Sequence, residues 1–203
     1  MVSLTLMARL TRLLPLALLL AGCRERAVSP PPAPPPAPAH NTVSAVQVAT
    51  PAEVAALVLA VDGEGLRLFN SVSGAARPIP FGTGKDDALA LVTRSRKVPP
   101  QEQGDSADCG ASYARWPGGL SLWFVDGKFA GWSLTPEASA VSTASGLRPG
   151  STRAELESAY QASVVDSTLG VEFTAGGLGG LLDSRRPDAK VTHLWAGTTC
   201  LDR

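Results

Sequence analysis

A run of proline and alanine divides this chain into two parts. Residues 29–39 read SPPPAPPPAPA, and such a segment adopts extended polyproline II because proline fixes φ and lacks a backbone donor. At about 3.1 Å per residue the run reaches roughly 30 Å. A spacer is favoured over a ligand for a proline-reading groove, which would need such a partner nearby. We therefore expect a tether over residues 23–56 and a globular domain over residues 57–203.

A secretory signal is predicted ahead of the tether. Arg9 and Arg12 come first, an apolar run fills residues 13–20, small residues follow, and residues 1–22 carry no acid. The apolar run is shorter than the roughly 20 residues that span a bilayer. We expect residues 1–22 to be a lipoprotein signal peptide and not a transmembrane helix.

Cys23 ends a four-residue pattern, Leu20-Ala-Gly-Cys23, that resembles the lipobox of bacterial lipoproteins. The resemblance implies cleavage before Cys23 and acylation of its thiol and its new amino group. Two acyl chains anchor a protein stably where one does so only marginally. The expected localisation is therefore the cell envelope, with the membrane as a partner through the lipid anchor. Arg24, in place of the Asp that resembles an inner-membrane retention signal, favours the outer membrane, facing the periplasm.

Cys109 and Cys200 then remain as an even pair. In a chain that is expected to enter an oxidising compartment, such a pair predicts a disulfide. The rival interpretation is a free, reactive thiol, as a cysteine nucleophile would need.

The charge pattern bears on possible partners. The chain has 18 basic and 18 acidic residues, and loss of Arg9 and Arg12 with the signal makes the remainder slightly acidic. No basic stripe runs along it, so nucleic acid is not an expected partner.

The predicted domain has two helix starts, each followed by strands. Thr83 with Asp86 and Thr152 with Glu155 have the spacing of a capping box. Short turns join consecutive strands, which favours antiparallel pairing. We expect an α+β fold of two pseudo-repeats, about 57–140 and 141–203, each with one helix packed on an antiparallel sheet. The predicted strands are 57–61, 66–69, 113–116, 120–125, 129–134, 163–166, 171–174 and 191–195.

The hairpin at 118–134 is the most informative part of the domain. With Asp126-Gly127 as a two-residue turn, Val125 pairs with Lys128, and Phe124 pairs with Phe129. Trp123 would then pair with Ala130, and alternation would place Trp123 and Trp132 on one face. That face either packs between the repeats or forms a partner surface, since tryptophan is enriched at binding hot spots. The alternation predicts one face with Leu120, Leu122, Phe124 and Phe129, and an opposite face with Trp123, Val125, Trp132 and Leu134.

Candidate sites for chemistry are weak. The segment 82–85, GTGK, lacks the flanking residues of a phosphate-binding loop. The glycines of 176–180 predict a flexible hairpin loop, with an anion-binding loop as the alternative. His193 in a predicted strand and His40 in the tether lack the ligand spacing of a zinc site, and there is no Gly-Xaa-Ser-Xaa-Gly elbow. We therefore assign no catalytic, cofactor-binding or metal-binding residue.

A family resemblance rests on three segments. The helix start at Phe81-Gly82, the hairpin at 122–134 and the segment 194–200, LWAGTTC, together resemble a group of bacterial envelope lipoproteins, over about 70–203. Some members carry the name aspartate-semialdehyde dehydrogenase. The residues do not support that name, because no Gly-Xaa-Gly-Xaa-Xaa-Gly fingerprint follows a strand. The plan is also loosely similar to that of beta-lactamase inhibitory proteins and of small outer-membrane assembly lipoproteins.

These observations lead to two functional hypotheses. The first is a lipid-anchored binding or scaffolding protein of the cell envelope, without catalytic activity and without a cofactor, whose partner is an envelope protein that the sequence does not name. The alternative is an enzyme, either an aspartate-semialdehyde dehydrogenase or a hydrolase. Fold resemblance alone does not decide between them, because function depends on the site.

Overall fold

The computed structural model describes residues 56–200, which form twelve strands, two α-helices and one short 3-10 helix. Among these residues no helix is long and apolar enough to cross a bilayer. The helices are α1 Lys85–Arg96, α2 Arg153–Ala159 and the 3-10 helix Ala107–Cys109. The strands are β1 Leu57–Asp62, β2 Gly65–Asn70, β3 Ala76–Pro80, β4 Glu102–Ser106, β5 Ala111–Trp116, β6 Leu120–Val125, β7 Lys128–Leu134, β8 Ser142–Thr143, β9 Ser163–Ser167, β10 Gly170–Ala175, β11 Leu178–Leu182 and β12 Val191–Gly197.

The strands form two sheets. The first has four strands in the order β3-β2-β1-β8, with β8 parallel to β1. The second has eight strands in the order β4-β5-β6-β7-β12-β11-β10-β9, and every neighbouring pair is antiparallel. Two meanders, β4 to β7 and β9 to β12, therefore join through β7 and β12 at the centre of the large sheet.

The prediction of an α+β fold, with one helix packed on the sheet of each repeat, is wrong. The domain is mostly β, and α1 packs mainly against β1, a strand of the four-stranded sheet. The second helix has seven residues and buries one side chain, Leu156. Four strands lack the alternation that marks a strand in sequence: β3 contains two prolines, β4 is polar, β8 has two residues and β11 contains two glycines.

The two helix starts differ in their caps. Thr152 accepts a hydrogen bond from the backbone N–H of Glu155, whose side chain accepts one from the Thr152 backbone, so the predicted capping box is present. At α1 the N-cap is Gly84, and no side chain caps it. The Thr83 hydroxyl instead donates to the Pro80 carbonyl at 2.7 Å, because the helix begins one residue later than predicted.

The core lies between one face of the large sheet, the four-stranded sheet and α1. Ala88 and Val92 of α1 are fully buried there. The largest fully buried side chains are Trp116, Trp132, Phe124, Phe129, Phe173, Leu66, Ile79, Leu120, Leu122, Leu134, Leu156 and Leu194. We call the opposite face of the eight-stranded sheet the outer face.

Candidate functional site

The two tryptophans of the central hairpin lie on opposite faces of the large sheet. Val125 pairs with Lys128 and Phe124 with Phe129, as predicted, but a register shift follows and Trp123 pairs with Gly131. Ala130 is therefore the extra residue of a β-bulge, which moves Trp132 to the core face. Trp132 is 0% exposed, so the prediction that it contributes to a partner surface is wrong. Trp123 is 8% exposed and lies on the outer face.

A polar and aromatic cluster surrounds Trp123 on the outer face. Its indole N–H donates to the Ser133 hydroxyl at 3.1 Å, and its ring lies 5.7 Å from that of Tyr113. The Tyr113 hydroxyl and the Arg115 guanidinium each donate to the Glu102 carboxylate, at 2.6 and 2.7 Å. The hydrogen bond to Glu102 raises the pKa of Tyr113. Tyr113 therefore stays a neutral donor, and the cluster holds the aromatic rings in place.

An open groove of about 560 Å³ lies at the other half of the outer face. Its floor contains Trp195, which pairs with Gly179 on β11, and a Cβ atom at Gly179 would clash with the indole. Gly179 thus lets the indole lie close to the β11 backbone at the floor of the groove. Its exposed polar side chains are those of Gln161, Ser163 and Thr174.

The glycine run beside this groove is only partly a loop. Gly176 and Gly177, with φ of 57° and 81°, form the turn between β10 and β11. Gly179 and Gly180 lie within β11, where each leaves room for an aromatic ring: Trp195 on the outer face and Phe173 on the core face. The prediction of one flexible loop over 176–180 was therefore too long.

Cys109 and Cys200 are brought to disulfide-bonding distance, with their Cα atoms 6.1 Å apart. The 3-10 helix between β4 and β5 carries Cys109, and Cys200 follows β12. Residues 198–200 form a C-terminal strap, whose Thr198 N–H donates to the carbonyl of Ala130 at 2.9 Å. Gly131 allows this approach, since a Cβ atom there would clash with the Thr198 carbonyl. This proximity favours the predicted disulfide over the free thiol of the rival interpretation.

The remaining predicted candidates are dispersed. His193 lies on β12, where burial lowers its pKa and the charge of Glu137 opposes that effect. Its ring contacts the hydroxyl of Thr192 at 3.1 Å. No group of three metal-ligating side chains occurs among residues 56–200. Cys23 and His40, with the signal and the tether, lie outside the described residues.

Trp195 and its glycine partner were not among the residues predicted from the sequence. Gly179 pairs with Trp195, and Gly131 pairs with Gly197 on the same strand as Trp195. Glycine within a strand indicates close approach of a ring or of another backbone. That signal was available in the sequence, but the pairing that places these glycines together was not.

Comparison with known proteins adds no relative: no protein-family model matches the chain, and no significant similarity to a curated protein or a solved structure was found.

Proposed function

We propose that this chain is a lipid-anchored binding or scaffolding protein of the cell envelope, held at the outer membrane and facing the periplasm. The lipobox pattern at Cys23 and the proline-rich tether support an anchored domain. The proximity of Cys109 and Cys200 supports an oxidising compartment. The domain then acts by binding an envelope partner through its outer face.

The groove at Trp195 carries this proposal. It combines an indole with hydroxyl and amide groups in one open depression, and binding sites commonly join an apolar floor to a few polar groups. The Glu172 carboxylate also lines it. The exposed lining is mostly polar and uncharged, so the fitting partner is an extended polar segment that accepts and donates hydrogen bonds. Of the predicted surface, Trp132 is excluded by its burial, whereas Trp123 shares the outer face with this groove.

Site-specific crosslinking in cells tests the groove. A photoreactive residue at Ser163 or Thr174 lies in the groove, whereas one at Ser167 lies on the same β9 strand and outside it. We expect discrete crosslinked species from the first two positions and none from Ser167. Identical patterns from all three positions would contradict a binding site in the groove.

The anchor needs a separate test. Cys23→Ser removes the thiol that acylation requires, so fatty-acid labelling and membrane partitioning should both be lost. Cys109→Ser is the matched control and should keep its label. Continued labelling of the Cys23→Ser chain would show that the lipobox assignment is wrong.

A further inference from the structure

Two small grooves flank Leu57, the first residue of β1. One, of about 270 Å³, lies between Leu57, the β2–β3 turn and α1, and the other, of about 280 Å³, lies between Leu57, the end of α1 and residues 140–141. Leu57 lines both. We call this end of the four-stranded sheet, with the last turn of α1, the entry end.

The entry end is basic. Arg77 and Arg94 line the first groove and Arg96 lines the second, while Lys97 follows directly on the helix. Among the described residues that line the two grooves there is no Asp or Glu. Residues 56–200 as a whole contain more acids than bases. The positive charge is therefore concentrated here and is not a property of the whole domain.

Three of these four cations have no structural partner. Arg96 donates to the Pro117 carbonyl at 2.6 Å, which fixes the end of α1. Within residues 56–200, Arg77, Arg94 and Lys97 form no ion pair and no side-chain hydrogen bond, and all three are exposed. The positive charges of Arg94 and Lys97 interact favourably with the dipole at the C-terminus of α1. Arg77 lies on β3, so its charge has no such role.

Exposed valines accompany these cations. Val58, Val72 and Val98 are 53%, 70% and 40% exposed, and they are three of the four exposed large apolar side chains in the described domain. Val58 lines the second groove, Val72 lies in the β2–β3 turn and Val98 follows Lys97. Apolar side chains beside cations suit the boundary between lipid headgroups and acyl chains.

We propose that the entry end is a docking surface for a bilayer that contains anionic phospholipid. The three free cations would contact headgroup phosphates, and the valines would enter the boundary region. Leu57 begins β1, the first of the described strands, and the predicted tether precedes it, so an anchor at Cys23 would bring this end towards the membrane. This step rests on the proposed anchor. The contact needs no acyl chain and is independent of the groove at Trp195.

Vesicle sedimentation tests this docking surface. The chain from residue 23, carrying Cys23→Ser, is mixed with vesicles of phosphatidylcholine alone or with one quarter phosphatidylglycerol. We expect binding to the anionic vesicles only, and a loss on the order of a hundredfold in Arg77→Gln/Arg94→Gln/Lys97→Gln, because each charge near such a surface contributes about fivefold. Equal binding to both kinds of vesicle would overturn the proposal.

A matched variant separates location from total charge. Lys128→Gln/Arg148→Gln/Lys190→Gln removes the same charge elsewhere, from side chains that form no ion pair among the described residues. It should keep most of the binding, and equal loss in both triple variants would overturn the proposal. Val72→Trp adds a reporter whose emission should shift to the blue with anionic vesicles. Binding without that shift would indicate contact with the headgroup charges alone, with the Val72 region outside the boundary region, and would also overturn the proposal.

Discussion

The indole N–H of Trp132 donates to the backbone carbonyl of Asp62 at 2.9 Å, 70 residues away in the chain. Trp132 belongs to the large sheet, and Asp62 ends β1 of the small sheet. This hydrogen bond therefore joins the two sheets through the core.

Trp132→Phe should lower the free energy of unfolding by about 2–4 kcal/mol, because it removes volume from the core and leaves the Asp62 carbonyl unpaired. Trp123→Phe is the control, since water at the outer face can replace the indole as a partner for Ser133; its cost should be about 1 kcal/mol. Denaturant unfolding measures both. Equal costs would show that Trp132 does not couple the sheets.

The cysteine pair should contribute substantially to stability. A disulfide between Cys109 and Cys200 closes a loop over a separation of 91 residues. The loss of chain entropy in the unfolded state then contributes about 4–5 kcal/mol at most to the free energy of unfolding. The double variant Cys109→Ala/Cys200→Ala should lose much of this contribution, as measured by denaturant unfolding. Thiol counting on the denatured, unreduced Cys23→Ser chain should find no free thiol, and two free thiols would show that the pair is not bonded.

Gly131→Ala should displace the C-terminal strap, because the added methyl group would clash with the Thr198 carbonyl. We expect a loss of about 1–3 kcal/mol in the free energy of unfolding. Gly84→Ala is the control: its φ is −56° and a Cβ atom meets only the Asp87 carboxylate, at 3.5 Å. Its cost should stay below about 1 kcal/mol. A larger cost at Gly84 would contradict the role of the strap.

His193 should make stability depend on pH. Because burial lowers its pKa in the folded state, the unfolded state binds the proton more readily, and stability falls as the pH drops below about 6.5. His193→Gln should weaken this dependence between pH 7 and pH 5, whereas His40→Gln, in the predicted tether, should leave it unchanged. Unfolding curves over that range measure the difference. An unchanged slope in His193→Gln would exclude His193 as its source.

The two threonines before the helices should differ in importance. Thr152→Ala removes the hydroxyl that accepts the Glu155 backbone N–H, the side-chain half of the capping box, and should cost about 1 kcal/mol. Thr83→Ala removes only the hydroxyl that donates to Pro80 and should cost less. Thermal unfolding of the two variants measures these costs. A larger cost for Thr83→Ala than for Thr152→Ala would contradict the assigned caps.

Local signals predicted the turns and one helix start. Asp126-Gly127 fixed two correct pairs of the hairpin, and the spacing of Thr152 and Glu155 predicted a cap that the structure contains. Beyond Phe129, one extra residue, Ala130, reversed the face on which Trp132 lies. Nothing in the local pattern marks that bulge, because residues on both strands are apolar on both faces.

Partners that are distant in sequence were harder to predict. The pairing of β7 with β12 places Trp195 beside Ser133, and no spacing within either strand implies it. The strand β11, with two glycines, gave no strand pattern because its role is to accommodate rings from its neighbours. The approach of Cys109 to Cys200 was inferred from cysteine number and compartment, and the strap that brings it about was not foreseen.

The central position of β12 has a consequence for how the chain is delivered. Of the twelve described strands it leaves a ribosome or an export channel last, yet it fills the gap between β7 and β11. Until it arrives, both neighbours present unpaired edges, which can pair with other chains. The large sheet therefore closes only once β12 is in place, and a chain truncated before residue 191 would carry two further exposed edges, at β7 and β11.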